Sequence, residues 1–273
     1  IVAVVTAVDV GAFAELFREL PEVTGRADEV AAYFNNPDGA SVSSGEVEAI
    51  IEAQVREAFD DHGIHNPFEG VTRWDFRFPP VNIYLGRPPR ILVVSPRDHI
   101  ERVRDVLLLP DISLETIEDI EAEVAALGYS GLVIGLGGIA TYPSYVSDRF
   151  GLRFALDTAA EEWLHQYLAF TPLGFRYVLD ITGLRPDPDI GALNEAVAEI
   201  VSEEIGDAIY DRYYARDEPS GPETPSGPAF DFNAAMRETR RQVDELLARG
   251  DIERAEAYME ERRDYLEANG YYI

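Results

Sequence analysis

The stretch Glu161-Glu162-Trp163-Leu164-His165 lies near the middle of residues 152–170, where apolar residues recur at helical spacing. Glu161 and His165 are four positions apart, so on a helix their side chains project from one face and can converge on one ion. Glu162 lies one position further round the helix. Because the chain contains no cysteine, any metal must be held by histidine and carboxylate groups. The stretch therefore predicts a metal-binding helix.

A second predicted helix, near residues 190–214, carries Asn194, Glu195 and Glu199. Glu195 and Glu199 are also four apart and share a face. A metal-bound imidazole needs an acceptor for its other N–H group, and a carboxylate can provide it. The alternative is a solvated helical face in an acidic protein.

Together these two motifs resemble the gluzincins, a family of zinc metallopeptidases with the pattern H-E-x-x-H followed by an Asn-Glu helix. The resemblance implies that Glu162 is the general base, that His165, Glu195 and Glu161 are metal ligands, and that Glu199 supports a ligand from behind. It also implies bound zinc, or another divalent ion, and hydrolysis of peptide bonds by a metal-activated water. Glu161 replaces the first histidine of the family pattern.

Zincins place a strand along the cleft just before the metal-binding helix, and the segment from Gly137 to Val146 occupies that place in the chain order. The resemblance makes this segment the substrate strand, with which an extended peptide or protein substrate pairs. Its expected contact residues are Gly138, Ile139, Ala140, Thr141 and Tyr142. The resemblance covers roughly residues 130–214.

The chain is also similar to bacterial proteins predicted to be membrane-anchored aminopeptidases, which pair a helix ending in His-Gln with a later Asn-Glu helix. This similarity implies a membrane-anchored protein on the extracytoplasmic side. The apolar run from Ile1 to Val8 could be the end of an N-terminal anchor, or it could be a buried strand or helical turn.

Glu161 leaves three interpretations open. A set of Glu161, His165 and Glu195 puts two negative charges on the ion and makes it a weaker Lewis acid, which favours slow hydrolysis or a harder ion such as Mn or Ca. The protein could instead be a catalytically inactive zincin fold that binds a peptide or protein partner. In the third interpretation Thr158 and Glu161 form a capping box at a helix start, and the chain is a metal-free acidic structural domain.

Other motifs compete with the metal site. The segment from Gly135 to Ala140 fits a dinucleotide-binding glycine loop, with Asp157 about 20 residues later, although Pro143 interrupts the helix that should follow. His62 and His65 are expected near a helix C-terminus, and His99 in the first turn of a helix beginning at Ser95-Pro96. Three tyrosines on the second helix could stabilise an oxyanion or simply pack: Tyr210, Tyr213 and Tyr214.

The fold class predicted from the whole chain is α+β and zincin-like, with an N-terminal mixed β-sheet and helices, the metal-site helix and a C-terminal helical lobe. We expect an α+β lobe with the substrate strand at 1–150, metal-site helices at 151–215, a flexible linker at 216–230 and a helical hairpin at 231–273. Helices are also expected near 44–61 and 113–127. A net charge of -28 argues against nucleic acid as a partner.

Overall fold

The computed structural model describes residues 26–68, 77–215 and 230–271, and these form an α+β protein. The helices are α1 (Ala27–Asn35), α2 (Ser44–Asp61), α3 (Leu114–Ala126), α4 (Leu152–Ala169), α5 (Pro172–Ile181), α6 (Pro188–Tyr213), α7 (Phe232–Ala248) and α8 (Ile252–Ala268), with a 3-10 turn at Pro37–Gly39. The strands are β1 (Ile83–Gly86), β2 (Arg90–Pro96), β3 (Arg104–Leu108), β4 (Tyr129–Gly135), β5 (Gly138–Ile139) and β6 (Ser144–Ser147).

The chain divides into two compact units. The first takes in the described residues of Ile1–Pro89 and Gly135–Glu218, and the second those of Arg90–Ile134 and Pro219–Ile273. Each unit is therefore built from two separate stretches of sequence, and the predicted boundary at residue 150 falls inside the first unit.

A three-stranded sheet in the order β1-β6-β5 organises the first unit. β1 runs parallel to β6, with Ile83 opposite Ser144, and β5 runs antiparallel to β6, with Gly138 opposite Val146. The outer side of β1 is covered by α2, because the N–H groups of Ile83 and Leu85 donate to carboxylates of that helix at 3.0 and 2.9 Å. These carboxylates belong to Glu52 and Glu48. β5 forms the opposite edge, and no other strand among the described residues pairs with it there.

Helix α4 lies in the core of this unit, since one side of it is made of fully buried small and large apolar residues. The alanines at 155, 159 and 160 let neighbouring elements approach closely, and α4 packs most extensively against α6. Trp163 fixes the position of the helix, because its indole N–H donates to the carbonyl of Pro79 at 2.9 Å and its ring lies 4.3 Å from that of Phe59.

The second unit contains a sheet in the order β3-β2-β4 together with α3, α7 and α8. β2 and β3 are antiparallel, with Leu92 opposite Val106. α3 is held to β4 by the Glu121 carboxylate, which accepts from the N–H of Val133 at 2.8 Å. Arg97 pairs with Glu256 on α8 at 2.7 Å.

Local signals predict several helix ends correctly. α2 begins with a complete capping box between Ser43 and Glu46, and α3 begins at the Ser113 cap and is followed by Gly128 at φ 83°. The predicted helix at Ser95-Pro96 is wrong, because both residues belong to β2, the central strand of its sheet. Pairing with a neighbouring strand overrides the local capping signal there.

Two helices, α1 and α5, were not expected. Two predicted features lie outside the described residues, namely the apolar run at 1–8 and the linker at 216–230 except for its last residue. None of the described helices combines the length and apolar composition needed to cross a lipid bilayer.

Candidate metal centre

The predicted metal-site helix, α4, begins well before the candidate ligands. α4 starts at Leu152 after Gly151, which has φ 88°, so Thr158 and Glu161 lie in the helix interior. The capping-box interpretation of Glu161 is therefore wrong. Because Glu161 and His165 are both on the continuous helix, the four-residue spacing does place their side chains on one face.

Helix α6 brings a third side chain to the same point. Nε2 of His165 lies 3.9 Å from Glu161 Oε1 and 3.7 Å from Glu195 Oε2. The three potential ligand atoms all lie within 4.8 Å of one another, and this is the one such group among the described residues. Two ligands on a tetrahedral zinc ion are about 3.4 Å apart, given bond lengths of about 2.0–2.1 Å. The two histidine–carboxylate distances exceed that spacing by about 0.3–0.5 Å, and the two carboxylates would have to approach each other by up to about 1.4 Å for the group to hold a metal ion.

The other nitrogen of His165 contacts Asn194. The Asn194 amide is 2% exposed, and its Nδ2 lies 3.1 Å from His165 Nδ1. If the amide is turned by half a rotation, Oδ1 accepts from Nδ1–H instead and Nε2 keeps its lone pair for a metal. Asn194 is thus the described residue that orients the ring. The negative charge of Glu199 instead helps to raise the pKa of Glu161.

Glu162 lies between the helix and the edge strand. Its side chain is 8% exposed, and it sits so close to Gly138 that a Cβ atom on this glycine would lie 2.5 Å from Glu162 Oε1. Burial raises the pKa of Glu162 well above the ordinary glutamate value, and the charges of Glu161 and Glu195 raise it further. A carboxyl group with these properties holds a proton more readily than an exposed one.

The centre gathers negative charge with little compensation. Burial raises the pKa of Glu161, and nearby carboxylates, Glu195 first, add to the effect. Burial also lowers the pKa of His165, although Glu195 opposes this. A bound cation would relieve the repulsion between these carboxylates, so the electrostatics favour cation binding at this point.

The predicted substrate strand is divided between a strand and a turn. Gly138 and Ile139 form β5 at the edge of the sheet, and Ala140, Thr141 and Tyr142 lie in the connection to β6. This connection is tied to the metal-site helix by Gln166, whose Nε2 donates at 2.7 Å to both Thr141 O and Ser144 Oγ.

The competing motifs do not form sites of the expected kind. After Gly135 the chain passes through β5 and β6, and the next helix begins only at Leu152, whereas a dinucleotide site requires a helix directly after its glycine loop. His62 is the C-cap of α2, with Nδ1 2.7 Å from Ala58 O, as expected. His65 pairs with Asp60, and His99 lies in a bend between Asp98 and Glu101.

The three tyrosines lie far from the candidate ligands. Tyr210 is 15 positions beyond Glu195 on α6, which corresponds to about 22 Å along a helix. The phenol of Tyr213 donates to Glu57 and that of Tyr214 to Gln54 at 2.7 Å, and both acceptors are on α2. Tyr210 stacks under the guanidinium of Arg153 at 4.2 Å. These residues therefore join helices and do not contribute to the centre.

Asn194 and Gln166 belong to the sequence motifs, but the motifs did not indicate that Asn194 contacts His165 or that Gln166 contacts the turn after β5. Both are neighbours in sequence of a candidate ligand, since Asn194 precedes Glu195 and Gln166 follows His165.

No protein family model, curated protein or solved structure matches this chain.

Proposed function

We propose that this protein is a gluzincin-like metallopeptidase in which Glu161, His165 and Glu195 hold a divalent cation, with zinc as the first candidate. The supporting observation is that two helices, distant in sequence, bring two carboxylates to within 3.9 Å of one imidazole nitrogen. A bound cation of this kind polarises a carbonyl oxygen and acidifies water.

Glu162 is the proposed general base. It is buried one position from the Glu161–His165 face and rests against the backbone of the edge strand. The pKa of Glu162 falls when positive charge is bound nearby, which leaves the carboxylate ionised and able to take a proton. Asn194 orients the His165 ring, and Gln166 fixes the turn after β5.

The proposed substrate is an extended peptide or protein segment that adds to the outer edge of β5. This edge suits the role because it adjoins Glu162, whereas the other edge of the sheet has its N–H groups bonded to α2. Backbone hydrogen bonds to an edge strand provide affinity without regard to side chains. An anchored location outside the cytoplasm is part of the same proposal and comes from the family resemblance.

Metal binding is tested on protein purified without chelator, by elemental analysis and by titration with zinc, manganese and calcium. The wild type should bind one ion. His165→Gln and Glu195→Gln each remove a ligand, so each should weaken metal affinity by more than the roughly 10–100-fold that is lost when a residue hydrogen-bonded to a ligand is removed. The matched control is Glu203→Gln, two helical turns beyond Glu195 on α6. Binding that survives both ligand substitutions would refute the assignment.

Hydrolysis is tested with quenched-fluorescence peptide libraries on the metal-loaded protein. Glu162→Gln should abolish cleavage while keeping metal affinity within about threefold, since Glu162 is not a ligand. Glu161→His should raise both zinc affinity and the cleavage rate, because it exchanges a charged ligand for a neutral one.

A second candidate function is peptide binding by a catalytically inactive zincin fold. The observation that favours it is Glu161, which adds a second anionic ligand and weakens the Lewis acidity of the ion. This candidate predicts saturable binding of extended peptides by the wild type with no cleavage, and cleavage only after Glu161→His. Absence of both metal and peptide binding would favour the metal-free acidic structural domain.

A further inference from the structure

An exposed aromatic pair stands at the start of the metal-site helix. Phe150 is 62% exposed and Phe154 is 37% exposed, and their ring centroids are 4.9 Å apart. Two large rings that face water side by side forgo the stabilisation that burial would give them. Such a pair is better suited to contacting a ligand than to supporting the fold.

The pair lies at one end of the edge strand. A Cβ atom on Gly137 would lie 2.5 Å from Phe154 Cζ, so the ring rests directly against the backbone that leads into β5. Further along, Gly138 meets Thr158 and Glu162, and Thr141 meets Gln166. The strand and turn therefore follow α4 in the same direction, from the aromatic pair to Glu162 and then to Gln166.

The distance between the aromatic pair and Glu162 can be expressed as a number of residues of a bound peptide. Phe154 precedes Glu162 by eight positions, which is about 12 Å along an α-helix. An extended peptide advances about 3.3 Å per residue. Because the Phe154 ring and the Glu162 carboxylate reach toward consecutive residues, Gly137 and Gly138, a peptide paired with β5 has a side chain beside the aromatic pair within about four residues of the bond that faces Glu162.

We infer that the Phe150–Phe154 pair is a specificity surface that receives an apolar, preferably aromatic, side chain of an extended peptide bound along β5. This inference rests on the proposed function and adds a substrate class to it. The occupant is a peptide side chain because the pair is continuous with the one open edge of the described sheet of this unit. Alternate side chains of an added strand point to the α4 side of the sheet, where the rings lie.

The charge of the protein favours a peptide over a membrane surface, the other apolar ligand that could contact the aromatic pair. The chain carries a net charge of -28, and Arg153, between the two phenylalanines, is paired with Asp207. An anionic lipid surface would be repelled, whereas an uncharged or basic peptide would not.

The test measures binding of fluorescent nonapeptides by polarisation to full-length Glu162→Gln protein loaded with zinc, so that no cleavage disturbs the equilibrium. One phenylalanine is moved through an alanine and serine background. We expect affinity about tenfold higher at one position than elsewhere, and we expect Phe150→Ala to remove that preference. The matched control is Phe175→Ala, because Phe175 on α5 is also 62% exposed. Phe154→Leu, which keeps an apolar contact with Gly137, should reduce the preference partially.

An unchanged preference in both Phe150→Ala and Phe154→Leu would overturn the inference, as would equal binding of all peptides. Failure of the proposed function gives a different result, namely no cleavage by the wild type and no metal bound, whatever the peptide preference. Vesicles of phosphatidylserine and phosphatidylcholine are included, and stronger binding to them than to any peptide would also overturn the inference.

Discussion

At the scale of single residues, the imidazole of His165 has two different surroundings. Nε2 faces the carboxylates of Glu161 and Glu195, and Nδ1 faces the buried amide of Asn194. Asn194 therefore fixes the ring at Nδ1, while Nε2 faces two carboxylates. Removing the holding contact should affect cation binding without touching a ligand.

Asn194→Ala is expected to weaken zinc affinity by about 10–100-fold, because the ring loses the partner that fixes its orientation and tautomer. Asn194→Asp should retain most of the affinity, since a carboxylate oxygen can accept from Nδ1–H. Competition with a zinc chelator measures both. Equal affinity in the alanine variant and the wild type would show that the ring needs no such support.

Asp157 offers a test of electrostatics on the same helix. Burial, together with the charge of Asp207, raises the pKa of Asp157 from 3.8 to about 6, and its buried Oδ1 has no hydrogen-bond partner. Because the pKa in the folded state exceeds that in the unfolded chain, the stabilising contribution is complete below about pH 3.8 and is lost as the pH rises through about 6.

Asp157→Asn should therefore stabilise the protein at pH 8 and leave it almost unchanged at pH 3.5. The full difference in pKa would correspond to about 3 kcal/mol, and solvent screening of this half-buried group reduces the expected gain to about 1 kcal/mol. Urea unfolding at the two pH values gives the comparison. Asp211→Asn on the exposed side of α6 is the control, with a change below about 0.5 kcal/mol. A gain at pH 3.5 equal to that at pH 8 would contradict the assignment.

The sequence predicted part of this residue-scale picture. The spacing of Glu161 and His165 indicated a shared helical face, because a helix repeats every 3.6 residues. The contact between Asn194 and His165 could not be predicted in the same way, because it depends on how two helices are rotated against each other. The glycine-rich segment before Gly138 gave no sign that Glu162 would lie against it.

At the scale of secondary-structure elements, the close approach of α4 and α6 brings the candidate ligands together. Gly206 on α6 permits it, since a Cβ atom there would overlap Asp157 Oδ1 and come within 3.2 Å of the Asp157 Cα atom. A methyl group there would force the Asp157 side chain to turn away and the two helix backbones to move apart by a few tenths of an ångström. Such a movement would also separate Glu195 from His165.

Gly206→Ala is expected to destabilise the protein by about 1–3 kcal/mol, as overpacking does, and to weaken metal binding. Gly191→Ala on the same helix is the matched control, because its added Cβ would lie 3.8 Å from Tyr177 Cε2, an ordinary van der Waals contact. That change should instead stabilise the helix by up to about 1 kcal/mol. Chemical denaturation measures the free energy of unfolding of both variants. An unchanged free energy of unfolding in Gly206→Ala would mean that the helices are not in close contact.

Among the elements, helices with strong end signals were predicted best. The capping box at Ser43 and Glu46 gave the start of α2, whereas Ser95-Pro96 carried a similar signal inside a strand. The difference is tertiary, because β2 has strand partners on both sides. The sequence also carries end signals for α5, namely a Thr171 cap, Pro172 in the first turn and Gly183 after the end.

At the scale of the whole molecule, the excess of acidic groups opposes compactness. The net charge is -28, and self-repulsion of this kind destabilises a folded chain at low ionic strength. Raising sodium chloride from about 0.01 to 0.3 M shortens the Debye length from about 30 Å to below 8 Å. We expect the thermal unfolding midpoint to rise by about 2–4 °C, equivalent to about 1 kcal/mol. The same molar amount of a neutral sugar, which screens no charge, serves as the control, and a lower midpoint in salt would contradict the expectation.

The sequence indicated the α+β class of the molecule because strand-like and helical spacing occupy different parts of the chain. It did not indicate that residues 90–134 join the described residues of 219–273 in one unit. Local periodicity gives the type of an element and says little about its partners, since long-range association depends on packing between surfaces that are distant in sequence.

The covered outer side of β1 has a consequence for how this protein meets other chains. With Glu48 and Glu52 occupying its N–H groups, that strand offers no template for a neighbouring copy, so sheet extension in this unit is restricted to the side beside Glu162. Exposed strand edges are a common origin of aggregation. Two carboxylates on one helix thus help to keep this protein from polymerising with itself.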